Sequence, residues 1–333
     1  MLFYFFPVID NIMTKKFDET DLRILAELDL NARATNSEIA KKLEMTSNAV
    51  KYRIDGLEQS GVIKGYDALI DAPGLGYLGY RMYLKLQYAG RETSKEIVDY
   101  LKGSPLAWWC ACGTGRFDLV NIFWVKTPGQ FEELLGEFKG KYSQYLRESI
   151  VMPYFGFVEY GLPFTKSMLR EQTAALSIGS GKIRRISPRD WRILRILSAD
   201  ARTPLSSIAK EVGLSAPSVK YRIDKLVKER VILGLRPVVD MEKLGYGHCK
   251  IDFNLRSSEC LGKLEKRILN DERVDIRMRT ASHADLEVGA YFRSYKELHG
   301  MLGEVQDEFS DDIQDYELIF RSRLVKDSLI SCF

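Results

Sequence analysis

Two stretches of this 333-residue chain are the same stretch written twice. Residues 17–77 align with 186–246 without a gap. Asp21, Arg23, Ile24, Leu25, Ala32, Arg33, Ile39, Ala40 and Lys41 meet Asp190, Arg192, Ile193, Leu194, Ala201, Arg202, Ile208, Ala209 and Lys210. VKYRID at Val50–Asp55 recurs intact at Val219–Asp224, and LGY at 75–77 returns at 244–246. Self-similarity of this length marks a duplicated unit, so whatever one half folds into, the other half folds into as well.

Each copy reads as three short helices. The first opens at Asp18 with Asp21 three residues on, and at Ser187 with Pro188 behind it. The second opens at Thr35 with Glu38, and at Thr203 with Pro204. A side-chain acceptor before an acid or proline satisfies the orphan N–H groups of a first turn. Ile39 and Leu43 (Ile208 and Val212) form the inward stripe of the second helix, and Val50, Ile54 and Leu57 (Val219, Ile223 and Leu226) that of the third. The third helix starts near Thr46 or Ser215, so only Glu44-Met45 or Gly213-Leu214 separates it from the second. That is the tight connection of a helix-turn-helix. Gly213 suits a left-handed turn, whereas Glu44 would cost about 1 kcal/mol there. A three-helix module with no nucleic-acid role is the bland alternative.

Beyond each module the helical period ends. Val62–Asp71, Tyr80–Tyr88, Trp108–Cys112, Leu119–Val125 and Ile150–Tyr160 read as strands, with helices at 91–101 and 127–146. The second half repeats the plan at 248–255, 261–269, 274–278, 286–291, 295–309 and 313–321. The expected fold class is α+β: two winged helix-turn-helix modules, each followed by a βαββαβ, ferredoxin-like domain. The expected boundaries are an N-terminal extension at 1–16, modules at 17–65 and 186–235, sensing domains at 66–164 and 236–333, and a linker at 165–185. The linker carries SIGSG and is expected to be flexible enough for the two sheets of one chain to pack as a pseudo-dimer.

A helix-turn-helix beginning FDETDLRIL, then SGVIKGY, then a βαββαβ unit carrying GTGRFD, resembles the leucine-responsive and asparagine-synthetase regulator (Lrp/AsnC) family. The resemblance spans nearly all of 17–333 twice over, where ordinary members carry one copy. It implies transcription regulation, self-association through the sensing domains, and an amino acid or related small metabolite as effector. It also implies that the effector lies near the GTGRFD turn, at Gly113, Thr114, Gly115 and Asp118. Glycines there would let backbone N–H groups approach a carboxylate, and Asp118 would hold an ammonium or merely cap the turn. The second copy reads TASHAD at Thr280–Asp285, with Ser282 in place of Gly115, so the first domain is the expected effector site.

The apolar stripe of the third helix leaves Thr46, Ser47, Asn48, Lys51 and Tyr52 for double-stranded DNA, with Ser215, Ala216, Pro217, Lys220 and Tyr221 as counterparts. Hydroxyls and a helix N-terminus suit phosphate oxygens, and Asn48 suits an adenine edge. Arg53 and Arg222 sit at the core edge, where a structural ion pair competes with a DNA role. Residues 17–65 hold seven basic and nine acidic groups, net −2, and 186–235 hold ten and five, net +5. Phosphate attraction therefore favours the second module.

Other chemistries find little support. Five scattered cysteines without a CxxC, and His248, His283 and His299 far apart in sequence, give neither a disulfide framework nor a zinc motif. No metal, cofactor or catalytic residue is expected, and a reduced, cytoplasmic setting is. Met1–Ile9 is too short to span a bilayer and lacks a basic flank, so an upstream arm is expected, with Met13 a plausible alternative start. GLGYLG at Gly74–Gly79 follows Pro73 and precedes a strand, the wrong context for a dinucleotide fingerprint. GSGK at 179–182 lacks the rest of a P-loop. Cys110 and Cys112 share a strand face as small core residues, and Trp108 and Trp109 serve packing. Two alternatives stand beside regulation: a sirohaem decarboxylase, which shares this two-part architecture, and a metabolite sensor without DNA binding.

If Lys220 touches a phosphate, Lys220→Ala weakens binding to every duplex and lowers the salt slope by about one unit. Fluorescence anisotropy across a salt series measures both, and an unchanged slope removes Lys220 from the interface.

Overall fold

The computed structural model describes residues 17–169, 175–179, 181–281 and 283–327. The expected arm at 1–16, Ser282 and parts of the linker lie outside the described residues. The first half runs α1 Glu19–Leu30, α2 Asn36–Leu43, α3 Ser47–Gln59, β1 Ile63–Ile70, β2 Leu78–Leu86, α4 Arg91–Gly103, β3 Ala107–Gly115, β4 Leu119–Val125, α5 Pro128–Tyr142 and β5 Leu146–Glu159. A connection follows with α6 Pro163–Met168 and β6 Leu176–Ser177. The second half repeats the order: α7 Pro188–Ala199, α8 Leu205–Val212, α9 Ala216–Lys228, β7 Ile232–Val239, β8 Gly247–Leu255, α10 Leu261–Leu269, β9 Val274–Thr280, β10 Leu286–Phe292, α11 Tyr295–Glu308 and β11 Ile313–Asp327.

The helix starts follow from local chemistry. Asp18 with Asp21, Thr35 with Glu38, and Ser187 with Asp190 form capping boxes, each side chain accepting from the other residue's backbone N–H. The second copy departs at its second helix. Pro204, at the position of Thr35, takes the cap without a side-chain bond, and the Thr203 hydroxyl donates instead to the Asp200 carbonyl. Glu44 does adopt the left-handed conformation, φ 56°, where the other copy has Gly213 at φ 66°.

Eight strands close into one barrel, in the order β2-β4-β3-β11-β8-β10-β9-β5 and back to β2. Two separate sheets packed face to face are not what forms. The closure depends on two strands that run longer than their sequence pattern implies. β5 pairs with β2 up to Tyr154 and then with β9 through Glu159. β11 pairs with β8 up to Phe320 and with β3 from Ile319 to Asp327. Each half thus lends the end of its last strand to the free edge of the other, and no barrel edge stays open. Gly156, at φ +137°, lies at the switch in β5, where a Cβ would run into the Ile178 carbonyl. Residues alternate across the wall. Met82, Leu84 and Phe123 face Ile97, Leu101 and Phe138 of α4 and α5, while Ile251, Phe253 and Val288 face Leu264, Ile268, Met301 and Val305 of α10 and α11.

The strand that follows each helical module does not fold into a hairpin wing of its own. β1 and β7 pair with each other, antiparallel, from Ile63↔Val239 to Ile70↔Ile232. Each module then packs across this ribbon onto the opposite half. α1 lies on β7 and α7 on β1. The Ala32 N–H donates to the Leu235 carbonyl and the Ala201 N–H to that of Tyr66, two bonds related by the repeat. Ile24, Leu28 and Leu57 accordingly share a core with Met241 and Tyr246, and Ile193, Leu197 and Leu226 share one with Ile70 and Leu75. The described part of the connection is docked as well. Lys166 Nζ donates to the carbonyls of Asp271 and Val274, and the Gly179 N–H to Asp71. The expected loose tether is, over these residues, part of the packing.

Replacing Glu44 by glycine removes the Cβ penalty of the left-handed turn and should stabilise the first module by roughly 0.5–1 kcal/mol. Chemical denaturation of Glu44→Gly against the parent measures this, and a loss of stability would mean that Glu44 makes a compensating contact.

Candidate nucleic-acid interface and barrel interior

The two third helices, α3 and α9, present matching surfaces. Val50, Ile54 and Leu57 are buried beneath α3, as are Val219, Ile223 and Leu226 beneath α9. On the opposite face Tyr52 is 81% and Tyr221 71% exposed, a large apolar area to leave in water on two equivalent helices. Thr46, Ser47, Asn48 and Lys51 are exposed beside Tyr52, and Ser215, Pro217 and Lys220 beside Tyr221, whereas Ala216 is half-buried against the module core. Thr46 and Ser215 cap their helices by accepting from the N–H groups of Ala49 and Ser218; the Thr46 hydroxyl proton is left able to donate, while the Ser215 hydroxyl lies 2.9 Å from that of Ser218. Lys51 and Lys220 lie 2.5 and 2.7 Å from Asp55 and Asp224 one turn on. Both are exposed i,i+4 pairs that a phosphate can displace at little cost.

Arg53 and Arg222 are withdrawn from that surface. The Arg53 guanidinium lies 2.8 Å from both Asp18 and Asp21, and that of Arg222 lies 2.8 Å from Asp190. Each arginine ties the third helix to the capping box of the first. Burial alone would raise the Asp190 carboxyl, but bonds from Ser187 and Arg222 hold it below the usual range.

The GTGRFD segment is more strand than turn. Gly113, Thr114 and Gly115 belong to β3 and pair with Arg321, Phe320 and Ile319 of β11. Gly115 sits at φ +129° with a Cβ position that meets the Leu318 carbonyl, so a side chain there disrupts the seam whatever binds nearby. Asp118 accepts from the Leu86 N–H at 2.8 Å and from Lys85 at 2.9 Å. Asp285 accepts from the Leu255 N–H, also at 2.8 Å, in the second half. The same acid staples the same hairpin twice, which is why it survives in TASHAD when the glycines do not.

Charged residues point into the barrel from strands that look apolar. Arg81 of β2 lies 2.6 Å from Glu287 of β10, and both are only 2% exposed. Lys250 of β8 lies 2.9 Å from Glu287 and pairs with fully buried Asp252. Tyr83 and Thr280 add hydroxyl bonds to Glu287. Burial pushes the Tyr83 phenol up to about 12, the neighbouring Arg81 charge pulling the other way. Asp252, His283 and Glu317 bring a donor atom each within 4.8 Å of one another, a set that a divalent transition ion can accept. Lys250 on Asp252 and Arg116 on Glu317 already balance those carboxylates, so charge does not call for an ion. Above this network, under the β1–β7 ribbon, lies a chamber of about 270 Å³. Its interior charges escaped the sequence reading, although Arg81, Lys250 and Glu287 sit on the inward phase of their strands, a signal that alternation carries.

Residues 17–64 match the family model of a winged helix-turn-helix DNA-binding domain, and residues 189–227 match the AsnC-type helix-turn-helix domain. The chain is 30% identical over 135 residues to the regulatory protein AsnC of Haemophilus influenzae, covering 40% of this chain and 89% of that protein. It is 41% identical over 126 residues to the proline dehydrogenase transcriptional activator of Rhodobacter capsulatus, 38% of this chain and 82% of that one. Such relatives correspond in length to one half of the duplication. Over the full length the fold is similar to the crystal structure of the siroheme decarboxylase NirDL, with a TM-score of 0.63 and 94% of each chain covered at 15% identity. Among the described residues no helix is long and apolar enough to cross a membrane.

Glu287→Gln leaves Arg81 and Lys250 without their shared counter-charge in the interior. Removing one partner of a buried pair costs roughly 3–5 kcal/mol, so a large fall in melting temperature is expected. A shift of a degree or less would show that the cluster readjusts.

Proposed function

The chain belongs to the Lrp/AsnC family of transcriptional regulators, and from that premise we propose that it is a sequence-specific, double-stranded-DNA-binding regulator with both half-site readers on one polypeptide. The observation that carries the reading is the pair of α3 and α9 surfaces, related by the repeat and joined through the ribbon. On each, the apolar stripe is buried, the arginine common to both copies is tied inward, and an exposed tyrosine stands among hydroxyls and a lysine. Thr46, Ser47, Asn48, Lys51 and Tyr52, with Ser215, Ala216, Pro217, Lys220 and Tyr221, form the proposed interface. Hydroxyls, lysines and helix N-termini hold phosphates, and Asn48 supplies base readout that Pro217 cannot. The effector is a small metabolite, and Gly113, Thr114, Gly115 and Asp118 lie along the seam it would sense, with Asp118 in a supporting rather than a contacting role. Self-association beyond the single chain would use the outer faces of the barrel, since its edges are already paired.

A second reading comes from the fold likeness to a siroheme decarboxylase. Fold likeness alone does not carry an activity. The chamber, at about 270 Å³, is smaller than the ~300–1,000 Å³ that encloses a drug-sized ligand, and a tetrapyrrole is larger than such ligands. We therefore favour regulation. A tetrapyrrole absorption band on the purified protein would reverse that preference.

Footprinting of the full chain on its own upstream region, with and without each of the twenty amino acids, tests the regulator reading. Because each module rests on the other half's strand, the comparison between modules uses point variants and not fragments. Lys220→Ala should weaken duplex binding more than Lys51→Ala, following the +5 against −2 charge balance. The reverse order would show that the first module dominates, and no protection of any promoter would remove DNA binding altogether.

A further inference from the structure

Three donor atoms converge inside the barrel wall from segments that only the fold brings together. Asp252 of β8 and Glu317 of β11 stand directly opposite one another in their antiparallel pair. His283 reaches both from the connection between β9 and β10. Its Nε2 lies 3.4 Å from Asp252 Oδ2 and 3.9 Å from a carboxylate oxygen of Glu317. Donors bound at about 2.0–2.2 Å in a tetrahedral shell sit roughly 3.4 Å apart, so this spacing is close to that of a ligand set. Asp252 is fully buried, and its two oxygens differ. Lys250 pairs with Oδ1, whereas Oδ2 accepts no hydrogen bond among the described residues and is the oxygen facing His283. Neighbouring Glu287 has both oxygens bonded, by Arg81 and by Thr280. A buried carboxylate oxygen without a donor is costly, and a cation beside it removes that cost. The cations already present do not block the place. Lys250 holds the other oxygen of Asp252 and also meets Glu287, and the Arg116 guanidinium has Glu148 at 3.3 Å as a second acid beside Glu317. A ligating carboxylate held from outside by such a donor is the usual outer shell of a metal site. Nor does the fold require these three residues. The first half pairs Tyr83 with Ile150 where the second pairs Asp252 with Glu317, and it carries Arg116 in place of His283.

We propose that Asp252, His283 and Glu317 bind a divalent first-row transition ion, with two carboxylate oxygens and one imidazole nitrogen as three corners of its shell. The imidazole selects such an ion over calcium or magnesium, which take oxygen donors. Asp252 supplies the buried corner. His283 and Glu317 are half-buried, and the ion enters from their side, where water fills the remaining positions. Ile319, two residues beyond Glu317, is where β11 takes up β3. An occupied site therefore ties β8, the β9–β10 connection and β11 together beside a seam that closes the barrel. The site uses none of the DNA-facing residues, and binding there is independent of the regulator reading.

Titration of cobalt(II) into the chelator-stripped full chain tests the site, followed by visible absorption and by calorimetry. One equivalent per chain should bind, with the d–d bands of an ion ligated by nitrogen and oxygen. Zinc should displace it, and equal concentrations of calcium or magnesium should not. His283→Gln and Glu317→Gln should each weaken cobalt binding by about tenfold or more, since even an outer-shell partner is worth that much. Both positions are half-buried, and a melting curve recorded without metal checks that each variant is folded. His299→Gln, which removes an exposed imidazole from α11, should leave binding unchanged. No stoichiometric binding, full competition by magnesium, or undiminished affinity in either ligand variant overturns the proposal. A thiolate-to-cobalt charge-transfer band, or an equal loss in His299→Gln, shows adventitious coordination elsewhere and overturns it as well.

Discussion

The exchange of strand ends is the contact on which the rest of the molecule depends. Within either half, β3 or β9 would be an edge strand with a row of unpaired backbone groups, and an edge of that kind is a liability. The last strand of the other half covers it, over Tyr154–Glu159 at one seam and Ile319–Asp327 at the other. Closing the barrel in this way creates an interior, sets the ribbon across its mouth, and holds the two helical modules against opposite halves. A second chain could supply the same strands in a single-copy protein. Here the partner is tethered, so the pairing is intramolecular and independent of concentration.

The barrel interior shows what duplication followed by divergence permits. Arg81 and Tyr83 occupy the positions that Lys250 and Asp252 occupy in the repeat. Both halves therefore bring a cation inward at the same place. The acid that neutralises them, Glu287, comes from the second half alone, and Val120 faces the interior from the corresponding strand of the first. The first half cannot satisfy its own interior, because Arg81 needs Glu287 from across the barrel, whereas Lys250 meets Asp252 and Glu287 within its own half. Two copies of the first half would face cation against cation, and two of the second would leave acids in excess. The charge asymmetry thus favours pairing of unlike halves, a specificity that an apolar interior would not provide.

Much of this was legible locally. The capping boxes at Asp18, Thr35 and Ser187, the buried stripes of the helices, and the left-handed turn forced on Glu44 all follow from neighbours a few residues apart. The withdrawal of Arg53 and Arg222 into ion pairs was one of two open readings, and the spacing of the third helix left it undecided. GTGRFD was legible as a break between strands but not as part of a seam. Its pairing partner lies some 200 residues away, and nothing in the local pattern of Gly113–Gly115 encodes that distance. Pro204 shows the reverse case, where a local rule placed a cap on Thr203 and the helix began without one.

What the sequence determined by itself is the duplication, the order of the helices and strands repeated within each copy, and the surface that each third helix turns outward. These are properties of periodicity and of side chains within one or two turns of each other. Tertiary structure decided where the strands end, which edge each one joins, and that β1 pairs with β7 in place of a wing. It also decided that Arg81, Lys250 and Glu287 meet inside a closed wall. Such outcomes depend on backbone groups that are chemically alike at every residue. A free N–H or carbonyl specifies no partner until the rest of the chain has brought one to its edge.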